Sequence, residues 1–324
     1  MITLGLIGCG QWGKHFVRLL STLGQGELRL VCDCDPEPIK FLQRNHLQFQ
    51  TTFNYKEVLT HQALNAVIIA TPAASHFELA KIALENNKHV LIEKPLALDS
   101  SELAVLRNQL EVAAKRDLVI TSCHPRRFDP PFVWLKDHSA GLIDELGPVI
   151  HFAFDFSYHE PTMEWKRCGR SLMMDHLNHE VDLLNFLYGY QQFTASCLVT
   201  LPTRYEVSGM RSDDISFHFQ GTRQLAQREF IEVVRVRHSR GEVTVNSHTG
   251  IATIYDHEKG QTSRGEIGST NYALRSARVM KNFAQAIAGT AENYLTNSDL
   301  WINNWAAVKL LEEDHCNSAL NFNS

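Results

Sequence analysis

No stretch of this 324-residue sequence approaches the roughly 20 uninterrupted apolar residues that a membrane-crossing helix needs. The opening residues MITLGLIGCG lack a basic region followed by an apolar core and a small-residue cleavage site, so no secretory signal is expected there. Runs of Lys or Arg are also missing. With 31 basic against 36 acidic residues the net charge is −5, which argues against a general nucleic-acid binder. The seven cysteines, at positions 9, 32, 34, 123, 168, 197 and 316, are odd in number and scattered. They suit free thiols in a reducing, cytoplasmic compartment and not a disulfide framework. Cys32-x-Cys34 has neither the spacing of a zinc pair nor a second pair to match, so buried strand thiols are the simpler reading and no metal is expected. Internal repeats and low-complexity segments are absent as well.

What is present is an ordinary globular composition, 44% apolar and 21% charged, in a chain long enough for two domains. The first 122 residues alternate short apolar runs with amphipathic segments. Ile2–Ile7, Leu28–Cys32, Ala66–Ala70, His89–Ile92 and Leu118–Thr121 read as strands. Helical segments follow at about Gln11–Leu23, after Pro36 and Pro38, at Ala73–Asn86, and from an Asp99 cap to Lys115. Continuous apolar strands separated by helices predict a parallel sheet covered on both faces. After about Cys123 the pattern changes. A strand at Val149–Tyr158 and a helix at Leu172–Tyr188 lead into extended stretches between Ala195 and Tyr255, with alternation such as Phe152-x-Phe154-x-Phe156. Helices at about Tyr272–Ala288 and Asp299–Glu313 close the chain. The expected architecture is an α/β domain over residues 1–122, a doubly wound parallel sheet. An α+β domain over 123–324 follows, with a large, mostly antiparallel open sheet.

Gly8, Gly10 and Gly13 form G-x-G-x-x-G between the first strand and the first helix. The spacing allows a tight turn, a close backbone approach to a pyrophosphate, and close helix–strand packing, with helix N–H groups facing the ligand. Gln11 and Trp12 lie inside the motif and are counted with it. Asp33 ends the second strand about 20 residues on, where an acidic side chain accepts hydrogen bonds from the adenosine ribose. It would repel a 2′-phosphate, and Cys34 and Asp35 supply no compensating Arg, so NAD(H) is favoured over NADP(H). The competing reading of Asp33 is an exposed turn residue.

Glu93-Lys94-Pro95 directly follows the strand HVLI, at the strand end where open α/β sheets bind ligands. Lys94 is read there as a group within reach of nicotinamide and substrate, or, taken alone, as a solvated lysine. In Asp175-x-x-x-His179-x-x-Asp182 the first two residues share one face of a helix. A carboxylate beside an imidazole either orients a proton acceptor or forms a structural hydrogen bond. His176 reads chiefly as a helix-surface or interface histidine, and Tyr158 and His159 are left unassigned.

Together these segments resemble the glucose–fructose oxidoreductase/inositol dehydrogenase (Gfo/Idh/MocA) family over nearly the whole chain. The resemblance is carried by the glycine turn, A-T-P-x-x-x-H at Ala70–His76, A-L-x-x-x-K-H-V-L-I-E-K-P at Ala83–Pro95, R-R-F-D-P at Arg126–Pro130, D-x-x-x-H-x-x-D at Asp175–Asp182 and the final helix. It implies that Lys94 contacts nicotinamide and substrate, that His179 is the acid/base and that Asp175 binds substrate. Thr71, Pro72 and His76 then flank the nicotinamide ribose, with Glu93 also on the cofactor side. Arg126 is carried as a substrate-binding residue, with solvated or interdomain arginines the alternative for Arg126 and Arg127. Trp165-Lys166 is a weaker match to a pair near the nicotinamide. At Gly169-Arg170 many members carry two glycines, so Arg170 is read as intruding on the substrate pocket and favouring an anionic group.

The activity implied is hydride transfer between a nicotinamide and a secondary alcohol or ketone of a cyclic polyol or sugar derivative. A reductase of a non-sugar substrate on the same fold and a non-catalytic, NAD-responsive sensor are the alternatives. The expected partner is a small polyol-like substrate, with neither nucleic acid nor membrane. A homodimer or homotetramer through the C-terminal sheet is also expected.

Overall fold

The computed structural model describes residues 2–24, 26–44, 49–159, 172–201, 203–224 and 231–321. The chain divides into two compact units, Met1–Pro125 with Ser276–Trp305, and Arg126–Arg275 with Ala306–Ser324. A single cut after residue 122 therefore differs from the structure at Ser276–Trp305, which returns to the first unit.

In the first unit six strands form one parallel sheet. They are β1 (Thr3–Ile7), β2 (Glu27–Cys32), β3 (Gln50–Thr52), β4 (Ala66–Ile69), β5 (His89–Ile92) and β6 (Ile120–Ser122), in the order β3-β2-β1-β4-β5-β6. β4 and the last three residues of β5 are buried throughout, as expected of strands covered on both faces. The helices between them are α1 (Gln11–Leu23), α2 (Pro36–Arg44), α3 (Tyr55–Thr60), α4 (His76–Glu85) and α5 (Ser100–Lys115). Asp99 caps α5, accepting from the backbone N–H groups of Ser101 and Glu102, as its residue type favours. The short β3 and α3 escaped the sequence reading because QTT and YKEVLT carry too few apolar residues to show a period. Chain order reverses between β1 and β4, and the loops leaving their C-terminal ends open at that switch point, where this class of sheet binds ligands.

The second unit contains α6 (Pro130–Leu146), β7 (Val149–His159), α7 (Leu172–Tyr188), β8 (Phe193–Leu201), β9 (Arg204–Arg211), β10 (Ser216–Gln224), β11 (Ile231–His238), β12 (Gly241–Asn246), β13 (Ile251–Asp256) and β14 (Gln261–Glu266). The strands make one eight-stranded sheet, β14-β13-β12-β11-β7-β10-β9-β8. Every pairing is antiparallel except β7–β10. The register sets Phe152, Phe154 and Phe156 on the same face as Phe217, Phe219, Val234, Val236, Val243 and Val245, and all nine are buried. α6 escaped the sequence reading because Pro130 and Pro131 look like breakers. At the first two helical positions a proline loses no hydrogen bond, and Gly147, at φ 82°, ends the helix. α8 (Arg275–Ile287) and α9 (Asn297–Asn321) complete the chain. Met280 and Phe283 of α8 line a small apolar cleft with Leu4, Ile68 and Leu91 of the parallel sheet.

One buried carboxylate organises the second unit. Glu232 is fully buried and in phase with Val234 and Val236 on β11. It accepts from Arg126 Nε and Arg275 Nη2 at 2.6 Å each, from Ser247 Oγ at 2.6 Å and from the Tyr272 hydroxyl at 3.1 Å. Burial alone would raise its pKa, but the Arg275 and Arg126 guanidinium groups hold it down to about 2. Arg275 also reaches Asp129, the residue before α6, at 2.5 Å. Glu232→Gln removes the negative charge between two buried cations, a class of change that costs roughly 3–5 kcal/mol. Urea denaturation at pH 7 should show that loss. Because the folded-state pKa is depressed, this stabilisation is present above the ordinary carboxylate range and disappears as pH falls through about 2.

Candidate active site

The first cluster lies at the sheet switch point of the first unit. Gly8 has φ +94°, and a Cβ there would meet the Ala70 carbonyl oxygen at 2.5 Å, so glycine is required by both conformation and space. A Cβ on Gly13 would collide with the Gly8 carbonyl, which fixes how closely α1 approaches β1. Gly10 behaves differently. It caps α1 without a side-chain hydrogen bond, the first turn holds no acidic residue, and a Cβ would meet nothing within 4 Å. Open space therefore lies above Gly10, beside the amides of an uncapped helix start, which suits a pyrophosphate. Gln11 and Trp12 are exposed at the same turn.

Asp33 follows β2 and closes this turn. One carboxylate oxygen accepts from Cys9 N at 2.6 Å and the other from Asp35 N at 2.9 Å. A carboxylate offers about four acceptor positions, so the same side chain can brace the turn and still receive ribose hydroxyls. Asp35 accepts from Glu37 N at 2.9 Å. Burial, then the charge of Asp33, pushes the Cys9 thiol up to about 12, and burial raises Cys32 to about 11. Both thiols stay protonated at neutral pH. Turn, open cradle and acidic strand end together fit NAD.

Thr71 and Pro72 follow β4. Ser75 donates to Thr71 Oγ1 at 2.8 Å. His76 is 1% exposed, and its ring lies between two carbonyl oxygens, Pro95 O at Nδ1 and Thr71 O at Nε2, both at 2.8 Å. A neutral imidazole can donate to only one of them. The resemblance counted His76 among cofactor contacts; the structure shows its ring tying two loops together. Beyond β5, Lys94 is half-buried between buried neighbours. Burial raises the Glu93 carboxyl to about 7, opposed by Lys94 and Cys123.

The second cluster lies on α7 in the second unit. Asp175, His176 and His179 are half-buried along one side of the helix. Asp175 accepts from Arg223 Nη2 at 3.1 Å, and Arg223 Nε donates to the Tyr158 hydroxyl at 3.0 Å. His176 stacks on Phe156 at 4.1 Å between centroids, and its ring is 6.0 Å from that of His179. Asp182 is buried and paired with Arg127, Nε at 2.9 Å and Nη2 at 2.8 Å. Arg126, carried over as a substrate-binding residue, is instead 3% exposed against Glu232, with its guanidinium over the rings of Phe154 and Phe156. The segment R-R-F-D-P is thus a set of buried ion pairs, because desolvated arginines need carboxylate partners. Trp165, Lys166 and Arg170 lie outside the described residues.

Sequence reasoning missed Arg223 and Glu232. The available signal was their phase: each occupies a position whose neighbours two residues away in the strand face the core.

Residues 2–124 match the model of the Gfo/Idh/MocA family, described as an oxidoreductase family with an NAD-binding Rossmann fold. The N-terminal domain belongs to this family. Inositol 2-dehydrogenase 4 of Saccharopolyspora erythraea is 30% identical over 213 residues, 64% of this chain and 60% of that protein. The uncharacterized oxidoreductase YrbE of Bacillus subtilis is 26% identical over 191 residues, 58% of this chain and 54% of that protein. The matched stretch therefore spans little more than half the length of these curated relatives. The structure of scyllo-inositol dehydrogenase from Lactobacillus casei with bound NAD(H) and scyllo-inositol superposes with a TM-score of 0.78 at 18% identity, covering 97% of this chain and 96% of that one. This likeness extends the two-part family fold over both units.

The Glu93 carboxyl gives a direct test of the geometry around Lys94. Its folded-state pKa lies above the unfolded value, so its stabilising share is complete below about 4.5 and lost as pH rises through about 7. The difference is roughly 3 kcal/mol for a shift of this size. The melting temperature of Glu93→Gln relative to wild type should rise as pH increases from about 4.5 to 7 and then level off. A flat difference would place Glu93 in contact with water.

Proposed function

We propose that this protein is an NAD-dependent dehydrogenase that oxidises a secondary hydroxyl of a cyclic polyol or sugar derivative, or reduces the matching ketone. The observation that carries the reading is the cradle at the sheet switch point. It combines an open position over Gly10, an uncapped α1 and Asp33 bracing the turn, in a domain of the Gfo/Idh/MocA family. Support for polyols comes from the relatives named for inositol.

The glycine turn and Asp33 would hold NAD, which would supply the hydride acceptor. A neutral His179 imidazole takes the hydroxyl proton as the carbinol hydrogen leaves as hydride, so the alcohol loses one hydride and one proton, two electrons and two protons in all. The Lys94 ammonium stabilises the negative charge that develops on the oxygen. Asp175, held by Arg223, binds a further substrate hydroxyl. Asp33 and Asp35 are both acidic and face a 2′-phosphate with like charge, so NADH is the preferred dinucleotide. The reaction takes place in the cytoplasm.

The assembly is a homodimer or homotetramer through the sheet face opposite the phenylalanines. Leu201, Met210, Ile231 and Tyr255 share that face by register and are each at least 36% exposed.

Fluorescence titration should show NADH binding at least about tenfold more tightly than NADPH, about 1.4 kcal/mol. Asp33→Ser should narrow that gap. In a panel of inositols and sugars with NAD, wild type should reduce the dinucleotide. Lys94→Ala and His179→Ala should bind NADH within about threefold of wild type and lose about 100-fold or more in kcat, the usual scale of acid–base catalysis. Binding without turnover of any polyol would sink the polyol reading, and absence of dinucleotide binding would sink the whole proposal.

A further inference from the structure

Asn304 is an unusual residue for its surroundings. It is 0% exposed on α9, four residues after the fully buried Leu300 and just before the buried Ala306, Ala307 and Val308. A buried amide needs partners for both ends, and those of Asn304 are specific. Nδ2 donates to Leu300 O at 2.8 Å within its own helix. Oδ1 accepts from two successive backbone N–H groups, Leu96 at 2.9 Å and Ala97 at 3.1 Å. These belong to the loop that leaves β5 immediately after Lys94, more than 200 residues away in sequence.

Leu96 and Ala97 are 1% and 2% exposed and lie beyond the last β5 ladder residue, so no sheet ladder serves their N–H groups. Left unsatisfied, each would carry a desolvation penalty. On the other side of the same short loop, the Pro95 carbonyl contacts His76 Nδ1 at 2.8 Å. Before Lys94, the chain is fixed by Glu93 N donating to Ile69 O at 2.9 Å. Every residue flanking Lys94 is thus anchored by a named bond, while Lys94 itself is half-buried.

We propose that Asn304, acting with His76, is a positioning residue for Lys94: its single carbonyl oxygen sets the course of the loop and therefore where the Lys94 ammonium stands. This deepens the proposed function and rests on Lys94 being the group that stabilises the reacting oxygen. Precise placement matters because charge stabilisation and near-attack geometry decay within about 1 Å. Asn304 touches neither substrate nor cofactor in this scheme; its effect passes through the backbone.

The test compares Asn304→Leu, which removes the acceptor at similar volume, with Asn304→Asp, which keeps an oxygen there. Two readouts are taken on the full chain. In the first, lysines are reductively methylated with 13C-formaldehyde, and the Lys94 resonance is assigned by its loss in Lys94→Arg. In the second, kcat, KM and the NADH Kd are measured with the best inositol from the panel. Asn304→Leu should move the Lys94 resonance toward the free-lysine position and lower kcat about tenfold or more, with KM and NADH Kd within about threefold. Asn304→Asp should restore both readings to within about threefold of wild type. An unmoved resonance and unchanged kcat in Asn304→Leu would overturn the proposal. Equal losses in both variants would also overturn it, reducing Asn304 to a packing residue. If wild type oxidises no inositol or sugar of the panel, the polyol reading fails, and the Lys94 resonance still decides the role of Asn304.

Discussion

A parallel sheet buried on both faces has no free polar surface except at its strand ends. In the first unit this constraint decides where chemistry can stand. β4 is buried at every residue, and the helices covering it consume its flanks. The groups able to meet a ligand are those on the loops leaving β1, β2, β4 and β5. Gly8 to Gly13, Asp33, Thr71 to His76 and Glu93-Lys94 are those loops. Their convergence follows from strand order β2-β1-β4-β5, which makes neighbours of β1 and β4, with Leu4 beside Ala66 despite the long sequence separation.

The same constraint explains why so many side chains bond to backbone in these loops. A loop at the end of a buried strand brings peptide groups into a dry region with no ladder partner, and each must be satisfied. Asp33 answers Cys9 N, His76 answers one of the carbonyls Pro95 O and Thr71 O, and Asn304 answers Leu96 N and Ala97 N. In the second unit a wide sheet has only one buried face, and the corresponding demand is for charge. Arginines 126, 127, 223 and 275 are each matched to a carboxylate on another element. These ion pairs act over long sequence distances, so they specify which elements meet as much as they stabilise.

What the sequence made legible follows from range. The first-unit strands and helices, the glycine turn and the acid after β2 are local patterns, and each carries its signal within about 30 residues. The phenylalanine alternation of β7 is equally local and correctly marked a sheet with one buried face. The β3 and α3 segments were too short to show a period, and the prolines of α6 masked a helix start. The return of Ser276–Trp305 to the first unit was illegible for another reason. Periodicity marks α8 as amphipathic but carries no information about which surface, 200 residues earlier, receives it.

The site divides along the same line. Glycines and Asp33 are read from spacing because the geometry they impose is local. Arg126 was carried as substrate-binding, with a carboxylate partner as the alternative, because a motif fixes residue type and order without fixing burial, and an arginine serves an anionic ligand or a buried carboxylate equally well. The phase of the alternation would have separated the two. Glu232 falls in step with Val234 and Val236, and a glutamate in a core-facing register demands cations. That demand is what takes Arg126 and Arg275 inward, onto Glu232. A charged residue in the apolar phase of a strand is therefore a better guide to which motif arginines are structural than the motif itself.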